Sequence, residues 1–490
     1  MPKIIFRAIS FFLIIILLSN TLTSCTLHNT TFNFSISETP NKFRTVGLGA
    51  EWDPKLMLSV NKERGVTEED LQLIKQRMDE MGLQSVRMMI LPEWFEPIND
   101  NNDPENIDFD SFTWNSEEAK CTFDQLKICD DLGIEVTLTW WGATTISWIS
   151  YPDCGDWVSA PNNLNEMAEN IVTVLRYIKE ELNYDCVKSL ILQNEPSYSF
   201  KTSGGTLDFD YYVQYYKTVD QYLTASGFDH ILLIGSDDAQ NQDWYLRAYD
   251  ELKNVCDMFD SHIYAWSYNT PRLNKLISKF VSARTDYSTD KPFILGEFGD
   301  GSTQSAYVAT STETYGRGLF IASMAVNSLS AGASGLSYWP LHDVYYYYNE
   351  TGYDNYGLMS MGLIGYKTDG EWSYRPTYYS WGLLCNYIPK NSEIYPVNGN
   401  NGNLIDALCT KSPDGEWSLI LVNRSKYEHT VNISTNMFEC EMNSYLFEES
   451  KLPDDGSQIV ASDKVIPLNG VYNINLPPFS FKLLNSKTTN

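Results

Sequence analysis

Along the middle of the chain, short apolar runs rich in β-branched residues recur roughly every 30–50 residues, and helix-patterned stretches separate them. The runs that predict strands begin near Thr45, Gln84, Ile134, Val187, Ile231, Met258, Phe293 and Ser334. Between the first two, Thr67-Glu68-Glu69-Asp70 has the form of a capping box ahead of Leu71, Ile74, Met78 and Met81. Further on, Leu164, Met167, Ile171, Leu175, Ile178 and Leu182 fall on one helical face. Pro376 to Tyr387 predicts a helix that closes the last unit. Strands alternating with helices imply a parallel sheet. Eight such units predict an α/β fold, a (β/α)8 TIM barrel, over residues 43–389. A doubly wound open sheet is the alternative.

After Pro389 the pattern changes to short strands. Leu404 to Thr410, the turn Ser412-Pro413-Asp414-Gly415, and Trp417 to Val422 read as a hairpin. Thr430 to Ile433 and Phe479 to Leu484 add strand candidates, so residues 390–490 are expected to form a small C-terminal β-sandwich.

The start of the chain has a different character. Lys3 and Arg7 precede the apolar run Phe11 to Leu18, and Leu22-Thr23-Ser24-Cys25 follows. This order predicts a secretory signal over residues 1–24. A cysteine at that point resembles a bacterial lipobox, which implies lipidation at Cys25. Residues 25–42 are polar and suit a flexible tether. The expected location is therefore outside the cytoplasm, as a cell-surface or outer-membrane lipoprotein of a bacterium, with the membrane reached only through the Cys25 anchor.

Charge and composition narrow the partners. Among 490 residues, 63 acids against 35 Lys and Arg give a net charge of -28. A surface this acidic repels phosphate backbones, so no nucleic-acid partner is expected. The 13 Trp and 32 Tyr suit a flat, neutral carbohydrate partner that stacks on rings, although a core uses the same residues. Cysteines are too sparse for a disulfide scaffold. Cys121 and Cys129, eight apart on one helix, lie about 12 Å apart and cannot bridge. Free buried thiols are expected.

Two strand ends carry the chemistry. The fourth strand runs into Gln193-Asn194-Glu195-Pro196, and Pro196 cannot donate to the ladder. Glu195 is thus placed at the C-terminal mouth, where barrel active sites are built. The seventh strand, Phe293-Ile294-Leu295-Gly296-Glu297-Phe298-Gly299, delivers Glu297 to the same rim. Facing carboxylates are what glycoside cleavage requires: one protonates the leaving oxygen, and the other attacks the anomeric carbon or activates water. Either glutamate alone reads equally well as a solvated rim residue; the pair is the signal.

Asn194-Glu195-Pro196 on strand four together with Gly296-Glu297-Phe298-Gly299 on strand seven resembles clan A of the glycoside hydrolases, in particular families 5, 30 and 39. The resemblance implies that Glu195 is the acid/base and Glu297 the nucleophile of a retaining mechanism. It further implies that Arg87 lies near the nucleophile, that Asn194 meets the sugar 2-hydroxyl, and that Tyr264, following His262, donates to Glu297. Trp339, after strand eight, would be the floor under the sugar. Thr139-Trp140-Trp141-Gly142 departs from family 5, whose members often carry a histidine there. Trp52, Trp140, Trp141 and Trp266 are further candidates for the cleft, as is the aromatic loop Asp343 to Tyr348.

Other chemistries find little support. The chain has no G-x-S-x-G elbow, Walker sequence or nucleotide fingerprint. Its five histidines include no H-x-H or H-E-x-x-H spacing, so neither a metal nor a cofactor is expected. The expected protein is a monomeric retaining β-glycoside hydrolase. A non-catalytic glycan-binding lipoprotein and a transglycosylase are the alternatives.

Overall fold

The computed structural model describes residues 30–143, 147–155, 157–239, 241–265, 275–282, 291–301, 303–305, 308–309, 311–346, 357–399 and 404–487. The signal segment, Cys25 and Trp266 lie outside these residues.

The eight expected runs form the eight strands of a closed barrel. In chain order they are Gly47–Glu51, Ser85–Ile90, Glu135–Trp140, Val187–Ile191, Leu232–Ala239, Met258–Ala265, Phe293–Asp300 and Gly335–Tyr338. Each pairs in parallel with its chain neighbour, and the eighth returns to the first through Leu336 opposite Leu48. The sheet closes and is not an open doubly wound one, because both ends of the series find partners.

Local signals hold the layer outside the strands. The helix Glu68–Glu80 begins at Thr67, whose backbone N–H donates to Asp70 Oδ2 at 2.7 Å. Leu71, Ile74, Met78 and Met81 are all buried beneath it. The helix Leu164–Arg176 starts from Asn163, whose side chain accepts from the N–H groups of Asn165 and Glu166. It continues into a π turn over Tyr177–Glu181. The helix Pro376–Tyr387 sets its proline in the first turn, where a missing N–H costs nothing.

Beside the barrel lies a nine-stranded β domain. Its hairpin pairs Ile405–Lys411 with Trp417–Asn423. The strand Trp417–Asn423 is buried on both faces: Leu419 and Leu421 join the domain's own core, while Ile420 and Val422 join the barrel's. That explains its unbroken apolar run Leu419-Ile420-Leu421-Val422.

The N-terminal stretch corrects one expectation. Residues 31–36, read as part of a tether, form the strand Thr31–Ile36 inside the β domain. It pairs in parallel with His429–Ser434 and antiparallel with Glu393–Gly399. Phe32, Phe34 and Ile36 point inward while Thr31, Asn33 and Ser35 face out. The polar residues that suggested a tether are the outward half of a two-residue period. Gly399 makes room for the pairing, since a Cβ there would lie 2.3 Å from the Phe34 ring. The β domain is therefore built from both ends of the described chain. Its thiols and the barrel's are free, with Cys440 alone half-buried among those described.

Candidate active site

Strands one, five and seven and the end of strand four converge on one guanidinium carried by strand two. Arg87 sits third in the second strand, which runs on to Ile90, so its side chain lies below the rim rather than at the strand's end. Its Nη1 donates to Glu297 Oε1 at 2.8 Å and to Glu51 Oε2 at 2.9 Å. Its Nη2 donates to Asn194 Oδ1 and Asp237 Oδ2, both at 2.8 Å. Burial works against the charge on Arg87, but Asp237, Glu51 and Glu297 around it hold it protonated.

Glu297 is buried on the seventh strand and held at both oxygens. The second accepts from the Tyr264 hydroxyl at 2.8 Å. Glu195 stands at the opening, its side chain about one-third exposed. Its backbone is left-handed (φ 45°, ψ 58°) and its N–H donates to the Asp237 carbonyl at 3.0 Å. Such backbone is uncommon outside glycine and is kept where the surroundings enforce it. Strands five and six separate four from seven, and His262 of strand six bridges the gap. Its Nδ1 lies 3.0 Å from Glu195 Oε1, and its Nε2 3.0 Å from Asp237 Oδ1. One oxygen of Glu195, one of Glu297 and a nitrogen of His262 all fall within 4.8 Å of one another.

The charges of these groups shift one another's protonation. Burial disfavours a charged His262, but Glu297 and Asp237, with the hydrogen bonds to Asp237 and Glu195, raise it well above the ordinary histidine value. Burial pushes Glu195 up; the hydrogen bond and charge of His262 outweigh it and leave the carboxyl below its ordinary value. Burial dominates at Glu297, whose carboxyl lies above the ordinary value despite His262 and Arg87. Asp237 stays low against its burial because Arg87 and His262 face it. Burial, with Asp237 beside it, raises Asp260 well above the carboxylate range. Gly296 leaves the space for this pair: a Cβ there would sit 2.0 Å from Asp260 Oδ2.

The opening leads into a cavity of about 410 Å³. Asn194, Glu195 and Ser199 meet Trp94, Trp141, Trp157, Tyr198 and Tyr346 in its wall. Tyr198 is largely exposed at the rim, and Lys55 lies 4.4 Å over the Trp94 ring.

Six expected residues, Glu195, Glu297, Arg87, Asn194, His262 and Tyr264, are thus brought together, and Trp141 lines the cavity. His262 and Tyr264 belong to the sixth strand itself, which extends to Ala265. Trp52 and Trp140 do not face the cavity. Each is 1% exposed, and Trp52 donates its indole N–H to His342 Nε2 at 2.8 Å. They are packing, because side chains alternate inward and outward at the strand ends that carry them. Trp339 packs with Met89, Val344, Tyr346, Met359 and Met361 and is not among the residues that line this cavity. In the loop from Asp343, Asp343 is buried against Arg375 at 2.7 Å and Tyr346 alone reaches the cavity; Tyr347 and Tyr348 lie outside the described residues. Sequence reading missed Asp237 and Asp260. Ser236-Asp237-Asp238 at a strand end was the available signal, and both Ser236 and Asp237 have positive φ.

No protein-family model matches the chain, and no curated protein matches its sequence. Solved structures share the fold. The catalytic domain of family 30 xylanase C from Talaromyces cellulolyticus is 13% identical, with a TM-score of 0.67 over 93% of this chain and 100% of that one. A conserved exported protein from Bacteroides fragilis is 13% identical, at 0.68 over 92% and 99%. The family 51 arabinofuranosidase from Xanthomonas axonopodis pv. citri is 12% identical, at 0.64 over 94% and 100%. The shared architecture is the barrel with its β domain.

Proposed function

We propose that this protein is an exported, lipid-anchored retaining β-glycoside hydrolase acting on a polysaccharide or its oligomers. One observation carries the reading: oxygens of Glu195 and Glu297 lie within 4.8 Å of each other, with Glu195 in the wall of an aromatic-lined cavity. Retaining enzymes hold their carboxyl groups about 5–5.5 Å apart, whereas inverting ones need roughly 6.5–9.5 Å to admit a water. The xylanase and arabinofuranosidase folds agree with this reaction class.

Glu297 is the nucleophile. Arg87 and the Tyr264 hydroxyl each hold one of its oxygens, which fixes the carboxylate for attack on the anomeric carbon. Glu195, open to the cavity, is the acid/base. As the C–O bond breaks, the leaving oxygen takes a proton from Glu195 and the sugar is bonded to Glu297. Water then gives a proton to Glu195 and its oxygen to the sugar, and the Glu297 carboxylate is released. In the resting site the proton sits on His262, 3.0 Å from Glu195. It passes to Glu195 for the first step, the proton that Glu195 takes from water returns to His262, and Asp237 behind it holds the imidazole in place. Trp141 and Tyr198 offer ring faces to the sugar's C–H bonds. Both carboxylates are present and positioned, which a purely glycan-binding protein does not require.

The test is stereochemical. With activated aryl β-glycosides and azide, Glu297→Ala is expected to yield a glycosyl azide of inverted configuration, and Glu195→Ala one of retained configuration. Wild-type turnover by Glu297→Ala, or an inverted first product from the wild type followed by proton NMR, removes the mechanism. Products from xylans, glucans, mannans and galactans identify the sugar. Globomycin-sensitive processing, lost in Cys25→Ala, checks the lipid anchor.

A further inference from the structure

A second group of buried acids lies outside the catalytic constellation. The loop after the second barrel strand supplies Glu96 and Asp100, and the first half of the helix Leu164–Arg176 supplies Glu166, Glu169 and Asn170. Glu166, Glu169 and Asn170 share one helix face at three- and four-residue spacing. One carboxylate oxygen each from Asp100, Glu166 and Glu169 lies within 4.8 Å of the others. Two oxygens bound to one Ca²⁺ at about 2.3–2.6 Å can stand at up to about twice that distance, so the spacing fits a shared ion.

Independent of the clustering, three oxygens are enclosed with no hydrogen-bond partner: Glu166 Oε1, Glu169 Oε1 and Asn170 Oδ1. Their residues are at most 1% exposed. Buried carboxylate oxygens without a donor are costly and call for a cation. The charged neighbours that act most on Glu169 are Asp100, Glu166, Glu96 and Asp103, all acids. The remaining oxygens are oriented. Asn99 Nδ2 donates to Glu166 Oε2, the Asp100 N–H donates to Glu96 Oε1, and Asn170 Nδ2 donates to Glu96 Oε2. Asp100 Oδ2 accepts from the Asp108 N–H across the loop. Such bonds aim a carboxylate at an ion.

We propose that Asp100, Glu166 and Glu169, joined by Asn170 Oδ1, form a Ca²⁺ site that fastens the loop after strand two to the helix after strand three. Hard oxygen donors with no nitrogen or sulfur select Ca²⁺ over transition metals. A site built across two elements with several fixed oxygens suits Ca²⁺ better than the smaller, water-retaining Mg²⁺. Trp94, in the cavity wall, lies two residues before Glu96, so the ion steadies that wall.

The experiment uses the full mature chain, stripped with EDTA and dialysed, with CaCl₂ as the only addition. Calorimetry is expected to show one Ca²⁺ bound with Kd between about 10⁻⁶ and 10⁻³ M, and Mg²⁺ at least about tenfold weaker. At a hundredfold excess over Kd the melting temperature is expected to rise by roughly 2–5 °C. Glu169→Gln is expected to lose the bound ion and the shift. Asp100→Asn, in the half-buried loop, decides the matter if the first variant does not fold. No Ca²⁺ binding by the wild type at 10 mM (about tenfold above the weakest expected Kd) overturns the proposal. So do undiminished binding in the variants and a melting temperature that follows pH in EDTA but ignores Ca²⁺.

Discussion

The barrel carries two clusters of buried carboxylates, and they are neutralised in opposite ways. Around the proposed catalytic pair, Glu51, Asp237 and Glu297 share Arg87, and Glu195 and Asp237 share His262. Every one of those charges has a partner carried by a barrel strand. Around Glu169 the strongest charged neighbours are all acidic, and three oxygens have no donor. A cation within the chain fixes geometry permanently, which suits the nucleophile role proposed for Glu297. A cluster lacking one leaves its charge to be met from solution, which makes that part of the structure depend on conditions. The catalytic site is thus expected to resist chelation, and the loop at Asp100 to respond to it.

The comparison can be broken most severely at Glu297. Glu297→Gln is expected to reduce kcat on the order of 10⁴-fold or more with little change in melting temperature, read by initial rates and calorimetry. Arg87→Met tests the internal cation. Leaving Glu51, Asp237 and Glu297 buried without it is expected to cost about 3–5 kcal/mol by denaturant unfolding, with activity lost as well. A retained stability would show that these carboxylates do not rely on Arg87. Gly296→Ala intrudes on Asp260, and about 1–3 kcal/mol of stability is expected to go with it. The opposite sign is expected at the second cluster. In EDTA at a pH above about 8, where Glu169 is ionised, Glu169→Gln removes one of several like charges and is expected to stabilise the protein by about 1 kcal/mol, reversing to a loss in saturating Ca²⁺.

The smallest effect is a displacement of the pH profile. As the proposed nucleophile Glu297 must be ionised to attack, and its raised pKa means activity is expected to fall, on acidification, at a pH above the ordinary glutamate value of about 4.3. In the proposed mechanism His262 must be protonated to supply Glu195, and its raised pKa carries the alkaline limb above the ordinary histidine value of about 6.5. His262→Asn is expected to lower kcat and move the alkaline limb; an unchanged limb assigns it to another group.

The clusters also differ in how far the sequence disclosed them. Glu195 and Glu297 were legible because strand ends are short, directional signals and a barrel's mouth collects them. Arg87, Asn194, His262 and Tyr264 could be named beside them only because their motifs resemble a known clan. Asp237 was missed because the bulge between Gly235 and Asp238 breaks the alternation that shows which way a strand residue faces. The second cluster left no motif. Its acids are split between a loop and a helix more than 60 residues apart, and an all-oxygen site has no spacing like that of histidines or cysteines. Tryptophans were the weakest reading. Trp52 and Trp140 are core while Trp94, Trp157 and Tyr198 line the cavity, and composition treats them alike.

By itself the sequence determined the eight strands, several helix boundaries and the two glutamates, since hydrophobic period and capping residues act within a few positions of the chain. Tertiary structure decided what depends on distant pairing. It took Thr31–Ile36 into the β domain, because a strand's fate rests on which edge it finds. It also set which indoles face solvent and which carboxylates share a cation, since burial and Coulomb interaction act through space rather than along the chain.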